Sequence, residues 1–151
     1  MASQRTFVIL KPDAVQRGLV GDILARFERK GLRLVALKFM KVDAALAAKH
    51  YHEHEGKPFF PNLIGFITSS PVVVLALEGD EAIAVVRGLV GPTDGRKAPP
   101  GTIRGDYGLS NSNNLVHASD GPESAGHELA LWFPEGFIDW SPCRQPWIQG
   151  G

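Results

Sequence analysis

The stretch "PVVVLALEGDEAIAVVRGLV", Pro71 to Val90, holds the two units from which the fold is read. Val72 to Leu77 is an unbroken apolar run rich in β-branched residues, the pattern of a strand covered on both faces. Asp80 then suits the cap of a helix over "EAIAVVRGLV", with Ile83, Val86 and Val90 forming its apolar stripe. Working toward the N-terminus, "PFFPNLIGFITSS" has proline breaks and then Leu63, Ile64 and Ile67 at helical spacing. Asp43 caps the alanine-rich "AALAAKHY", and "LRLVALKFMKV" reads as a strand. "LVGDILARFERKG" is a helix by the spacing of Val20, Ile23, Leu24 and Phe27, with Gly31 suited to its C-terminal cap. "TFVIL", Thr6 to Leu10, is a further strand, ended by Lys11-Pro12-Asp13.

Working toward the C-terminus, "GPTDGRKAPPGTIRGDYGLSNSN" runs for more than twenty residues with five glycines and no periodicity. A loop of that length inside a compact domain is usually functional or disordered. Asn114-Leu115-Val116 reads as the last rung of a short strand. Asp120-Gly121-Pro122-Glu123 reads as a helix start, with Asp120 as cap and Glu123 bonding back to it. That helix carries Ala125, Leu129, Trp132 and Phe133 on one face. Stripped of insertions, the order is βαββαβ: an α+β chain with the ferredoxin-like split plan. A four-stranded antiparallel sheet follows, with the first and third strands central and helices packed on one face. Residues 1–151 read as one domain, in which 134–151 form an aromatic tail expected to pack on something.

Composition narrows the function. Lysine plus arginine equal aspartate plus glutamate at 16 each, so no bulk charge points to nucleic acid or an acidic surface. The lone Cys143 forms no intramolecular disulfide, which suits a reducing compartment. No apolar run spans a bilayer and "MASQRTFVILKPD" lacks a signal-peptide layout, so a cytoplasmic protein is expected.

Several polar residues stand where a core has no use for them. Lys11 ends the first strand, His117 follows the last, and central strands bring such ends together. Arg87 falls near the apolar stripe of its helix, Thr93 and Arg104 bracket the long loop, and Asn114 precedes the histidine. Three cations, a hydroxyl and an amide around a helix N-terminus make an anion site, since arginine forks onto phosphate oxygens and lysine supplies a point charge. His117 in that site is either one more phosphate ligand or a nucleophile that takes a phosphoryl group. The second role needs one ring nitrogen free and the other held by an acceptor, and Glu128 is placed to be that acceptor.

Lys11-Pro12-Asp13, "RGLVG", "KPFFPNL", "PGTIRGD", "NLVHASD" and the spacing from His117 to Glu128 together resemble the nucleoside diphosphate kinase family, in register from Arg5 to about Trp147. The resemblance implies the ferredoxin-like fold and a transiently phosphorylated His117. It implies a γ-phosphoryl passed from a nucleoside triphosphate, usually ATP, to a nucleoside diphosphate in ping-pong fashion. Phe59 resembles the aromatic residue on which the base stacks, with Leu63 nearby. Lys11, Arg87, Thr93 and Arg104 match phosphate ligands, while Asn114 and Lys11 match contacts to the sugar hydroxyl. Tyr51 matches the tyrosine beside the transferred phosphate. Glu128 matches the carboxylate that orients the histidine, and Ser119 its support. Mg²⁺ would bridge phosphate oxygens, with Asp120 reaching it through water. "DWSPCRQPWIQ" looks like the longer tail of hexameric members, so a homo-hexamer is expected.

Departures from the family pattern are local. Ala118 and Gly121 stand in place of glycine and serine, so Ala118 would be strained if its backbone needs positive φ. Asp94-Gly95 replaces Asn-Pro, and loss of the proline is expected to loosen the loop. Ala14 after "KPD" is a smaller change. Two rival readings follow. One is a non-catalytic member that binds nucleotide or nucleic acid; zero net charge and the lack of an RNP-type aromatic pattern speak against nucleic acid. The other is a metal site at "HYHEH", where His50 and His54 would share a helix face, against the blander reading of an exposed histidine cluster.

Overall fold

Strand alternation decides which side of the sheet each helix covers. The computed structural model describes residues 3–149. Its strands are β1 (Ser3–Leu10), β2 (Arg33–Met40), β3 (Val72–Asp80) and β4 (Val116–Ala118), and the short helix α1 (Pro12–Gln16) follows β1. They lie in the order β2-β3-β1-β4, every neighbour antiparallel, so the first and third strands are central as expected. β1 and β3 pair along their length, from Ser3 opposite Asp80 to Leu10 opposite Val73.

Successive residues point to opposite faces. Val8, Leu10, Val73, Leu75 and Leu77 therefore meet α2 (Val20–Lys30) and α5 (Ala82–Val90), through Ile23, Phe27, Val86 and Val90. Phe7, Ile9, Val72, Val74 and Ala76 meet the other layer. That layer is α3 (Ala44–His50), α4 (Phe60–Ile67) and α7 (Pro122–Trp132), contributing Ala47, Ile67, Leu129 and Trp132. Helices thus cover both faces rather than one. The two crossover helices take one side, and the inserted pair with α7 takes the other.

Several local expectations hold. The Asp43 side chain accepts from the Leu46 N–H at 2.8 Å, and Gly31 ends α2 in the left-handed region at φ 106°. Others are corrected. The residue before α5 is Glu81, at φ 52° and without a side-chain cap, while Asp80 ends β3. The Gln4 side-chain oxygen, from β1, accepts the Ile83 N–H instead, at 3.3 Å. At α7 the reciprocal cap uses Ser124 rather than Glu123. The Ser124 hydroxyl accepts the N–H groups of Asp120 and Gly121, each at 3.1 Å, and donates to Asp120 Oδ1 at 2.6 Å.

The long loop is ordered by backbone packing. It contains the short helix α6 (Ile103–Tyr107), capped by Thr102 onto the Gly105 N–H at 2.9 Å. Asp94 accepts from the Arg96 N–H at 3.0 Å, making a turn, and a Cβ at Gly95 would strike the Gly108 backbone. Proline is replaced, yet close approach holds this turn in place. The tail packs on the edge of the sheet. The Ile138 N–H donates to the Val35 carbonyl at 2.9 Å and the Trp140 indole to that of Leu34 at 2.7 Å, ahead of the four-residue α8 (Pro146–Gln149).

Candidate active site

Register places His117. It is the middle residue of β4, not part of a turn after it, and pairs with Ile9. Its side chain therefore leaves the sheet on the α3/α7 side, while Val116 and Ala118 join the core under α2 and α5. Helix α7 brings Glu128 to the same spot, among its buried residues Ala125, Leu129 and Trp132.

The His117 ring nitrogen Nε2 lies 3.0 Å from both Glu128 oxygens. An ionised carboxylate only accepts, so Nε2 carries the proton and Nδ1 keeps its lone pair. The Ser119 hydroxyl donates to Glu128 Oε1 at 2.5 Å and is fully buried. Burial pushes the Glu128 carboxyl up, but its contacts with His117 and Ser119 prevail and hold it below the ordinary carboxylate value.

The strand ends carry cations beside this pair. Lys11 Nζ donates to Asn114 Oδ1 at 2.8 Å, and burial, helped by Arg104, pushes the ammonium down to about 8 despite the nearby Asp13. Arg104 is buried, and its Nε, Nη1 and Nη2 donate to the carbonyls of Asn114 (3.2 Å), Gly91 (3.1 Å) and Val116 (2.6 Å). Three of its five N–H groups are thereby occupied, leaving two. Burial, with Arg87 close by, lowers its pKa to about 10. Arg87 is exposed apart from its bond to the Ala118 carbonyl at 3.1 Å.

Two residues that the sequence does not place at this site complete the arrangement. Leu115 has φ 73°, a left-handed conformation that costs an ordinary residue about 1–2 kcal/mol. Its carbonyl accepts from the Lys11 N–H at 2.8 Å, its N–H donates to Asp13 Oδ2 at 3.0 Å, and its side chain is fully buried. Burial of a leucine contributes roughly 1.5–3 kcal/mol, enough to hold that backbone. Strain thus sits at Leu115, whereas Ala118 has an ordinary strand backbone. Nothing in a leucine codon marks such a position.

His50 is the second. It is 7% exposed, so the "HYHEH" histidines are not one exposed cluster. The helix ends at His50, and His52 to His54 form a separate 3-10 turn, so His50 and His54 do not share a helix face. The His50 ring lies 4.8 Å from the His117 ring at 86°. Among the described residues, His50, His117 and Glu128 make the one group of three whose ligand atoms, within 4.8 Å of one another, could hold a divalent metal. Tyr51 touches His50, with ring centroids 4.7 Å apart, and burial beside Glu128 pushes its phenol up to about 12.

The remaining expected residues lie further out. Phe59 is 46% exposed, 5.3 Å from the His54 ring and 5.7 Å from the Lys57 ammonium. Leu63 follows one turn along α4 and is half-buried, Thr93 is exposed, and Asp120 is exposed with one oxygen on Ser124.

The family model for nucleoside diphosphate kinase matches residues 4–138. The chain belongs to the nucleoside diphosphate kinase family. Its sequence is similar to the nucleoside diphosphate kinase of Staphylothermus marinus, 57% identical over 93% of this chain and 100% of that one. That of Staphylococcus epidermidis is 53% identical over 96% of this chain and 98% of its own. Among solved structures, a halophilic nucleoside diphosphate kinase from Halobacterium salinarum in complex with CDP superposes with a TM-score of 0.94 at 49% identity, covering 97% of this chain and 99% of that chain. A transition state mimic of the Borrelia burgdorferi nucleoside-diphosphate kinase, with bound vanadate and ADP, gives 0.88 at 39% identity and 95% coverage of each. The kinase family's ferredoxin-like sheet is the one described above.

His50 leaves a signature in the stability of this kinase. Burial, then the neighbouring His117, pushes its imidazole down to about 3, against 6.5 in the unfolded chain. Between those values the unfolded state binds a proton that the folded state refuses. The contribution is thus complete above pH 6.5 and is lost as pH falls. Unfolding free energy should decline from pH 6 to pH 4, and less steeply in His50→Gln, by up to about 1.4 kcal/mol per pH unit. Equal slopes in denaturant titrations of the two proteins would contradict this placement of His50.

Proposed function

We propose that the chain transfers the γ-phosphoryl group of a nucleoside triphosphate to a nucleoside diphosphate through Nδ1 of His117. The observation that carries this reading is the pair of 3.0 Å contacts that commit Nε2 to Glu128 and leave Nδ1 free. The Nδ1 lone pair attacks the γ-phosphorus, the bond from phosphorus to the β,γ-bridging oxygen breaks, and the diphosphate departs. The Nε2 proton stays on the Glu128 side. A second nucleoside diphosphate then takes the group by the reverse displacement, which makes the kinetics ping-pong.

Lys11, Arg87 and Arg104, with Thr93, are assigned to the phosphate oxygens, where fixed cations stabilise charge without reorganising during the reaction. Arg104, buried and tied to three carbonyls, is preorganised for it. Asn114 and Lys11, joined at 2.8 Å, are assigned to the sugar hydroxyl. Tyr51 borders the transferred group. Phe59 is assigned to the base, with Leu63 beside it: an exposed aromatic face stacks on any base and so favours no single nucleotide. The CDP and ADP bound by two relatives support nucleotides as substrates.

Mg²⁺ is assigned to the phosphates rather than to the His50–His117–Glu128 group, because it takes oxygen ligands and imidazole nitrogen suits softer ions. Asp120, exposed and with only one oxygen engaged by Ser124, fits contact through water. When bound, the ion neutralises phosphate charge. The working form is assigned as a homo-oligomer, a hexamer by family likeness. Phe39, 66% exposed on edge strand β2, and Trp147, 91% exposed in the tail, are apolar surfaces that suit partner copies. Among the described residues no helix is long and apolar enough to cross a membrane, and the cytoplasm is the proposed compartment.

Incubation with ATP and Mg²⁺ should add one acid-labile phosphoryl group to the intact mass. Added GDP should discharge it, and His117→Asn should never gain it. A folded, nucleotide-binding protein that stays unmodified would refute the transfer. The Lys11 ammonium predicts a pH effect. A group lowered to about 8 is charged below that pH and must take up a proton to meet an anion above it. ADP affinity should fall above pH 8, by up to about tenfold per pH unit. Lys11→Gln should bind more weakly at neutral pH and lose that dependence, as calorimetry would read. A parallel fall in both proteins would place the effect elsewhere.

A further inference from the structure

His50 takes no part in the transfer, yet it is buried against the group that does the chemistry. Helix α7 holds it from behind: the Trp132 indole Nε1–H donates to His50 Nδ1 at 3.1 Å, and both residues are buried. With Nδ1 accepting, a neutral His50 must carry its proton on Nε2. One nitrogen is covered by a donor and the other is protonated, so the neutral ring in this arrangement offers no free lone pair to phosphorus. Trp132 is itself fixed by stacking on Phe7, centroids 5.4 Å apart at 29°.

Glu128 alone does not settle the aim of His117. In an imidazole both nitrogens lie off the extended Cβ–Cγ axis, Nδ1 farther than Nε2. Rotation about that bond moves the reacting nitrogen farther than the one Glu128 holds, and a carboxylate with both oxygens 3.0 Å from Nε2 can follow a small rotation. Such a torsion is broad in the absence of packing. The packing that narrows it comes from the His50 ring, perpendicular to that of His117 at 4.8 Å, and from the Phe7 ring at 6.2 Å and 56°. We propose that His50, locked by Trp132, is a positioning residue that sets the ring plane of His117 and so aims Nδ1, while Trp132 keeps the His50 ring itself out of the phosphoryl chemistry.

The inference rests on His117 being the phosphorylated residue, and the test separates the two. Rapid-quench phosphorylation by ATP and Mg²⁺ would be followed by intact mass in the full-length protein, alongside ADP affinity and thermal melting. The variants are His50→Ala, Trp132→Phe and the double variant. His50→Ala should slow phosphorylation roughly tenfold or more, because a misdirected reacting atom is costly, with ADP affinity unchanged. His50→Phe, which restores a ring, should recover part of the rate. Trp132→Phe should slow the step, and the double variant should be no slower than His50→Ala, since Trp132 acts through His50. If His50→Ala does not fold, His50→Gln takes its place in the cycle. Wild-type rates in the single variants, or effects that multiply in the double variant, would overturn the proposal. A wild-type protein that gains no phosphoryl group would instead overturn the reading of His117, and this inference with it.

Discussion

The hydrogen bond between His117 and Glu128 is the interaction on which the rest of the site depends. It chooses which ring nitrogen holds the proton and which holds the lone pair, and it keeps the carboxylate ionised in a buried place. That place would otherwise favour the neutral acid, since burial alone raises a carboxyl pKa. The bond forms only because β4 pairs with β1 in one register. A slip by a single residue would turn His117 toward α2 and α5 and send Val116 or Ala118 to Glu128.

That register is defended by the segment just before it. Leu115 bends into the left-handed region, and the N–H of Lys11 and the carboxylate of Asp13 hold it from both sides. The same turn presents Asn114 to the Lys11 ammonium and two carbonyls to Arg104. Cations that would repel one another are thus fixed by neutral acceptors, the Asn114 side chain for Lys11 and backbone carbonyls for Arg104, and burial first and mutual repulsion second lower the pKa values of both. A site for a highly charged anion benefits from that arrangement, because the repulsion is relieved when the anion enters.

Much of this was legible in the residues. The apolar run at Val72–Leu77 and the helical stripe of Ile83, Val86 and Val90 carry the central strand and its crossover helix, and the βαββαβ order follows. His117, Glu128 and Ser119 were expected together, and they are joined at hydrogen-bond distance. What was not legible has physical reasons. The division of helices between two faces depends on where the insertions α3 and α4 fold back, which no periodicity encodes. Ser124 replaces Glu123 in the cap because its hydroxyl reaches two N–H groups at once. The strain falls on Leu115, whose side chain gives no sign of left-handed backbone. His50 looked like one of three surface histidines, since only tertiary packing shows that Trp132 and His117 enclose it.

The most direct test of this division of roles on the His117 ring is the position of the N–P bond in the phosphorylated protein. Protein uniformly labelled with ¹⁵N would be phosphorylated with ATP and Mg²⁺, and the phosphorus-to-nitrogen couplings of the modified ring read by NMR. Phosphorus should appear on Nδ1, with Nε2 still protonated and bonded to Glu128. Phosphorus on Nε2 would mean that Glu128 must release the ring before transfer, and would contradict the assignment of roles around it.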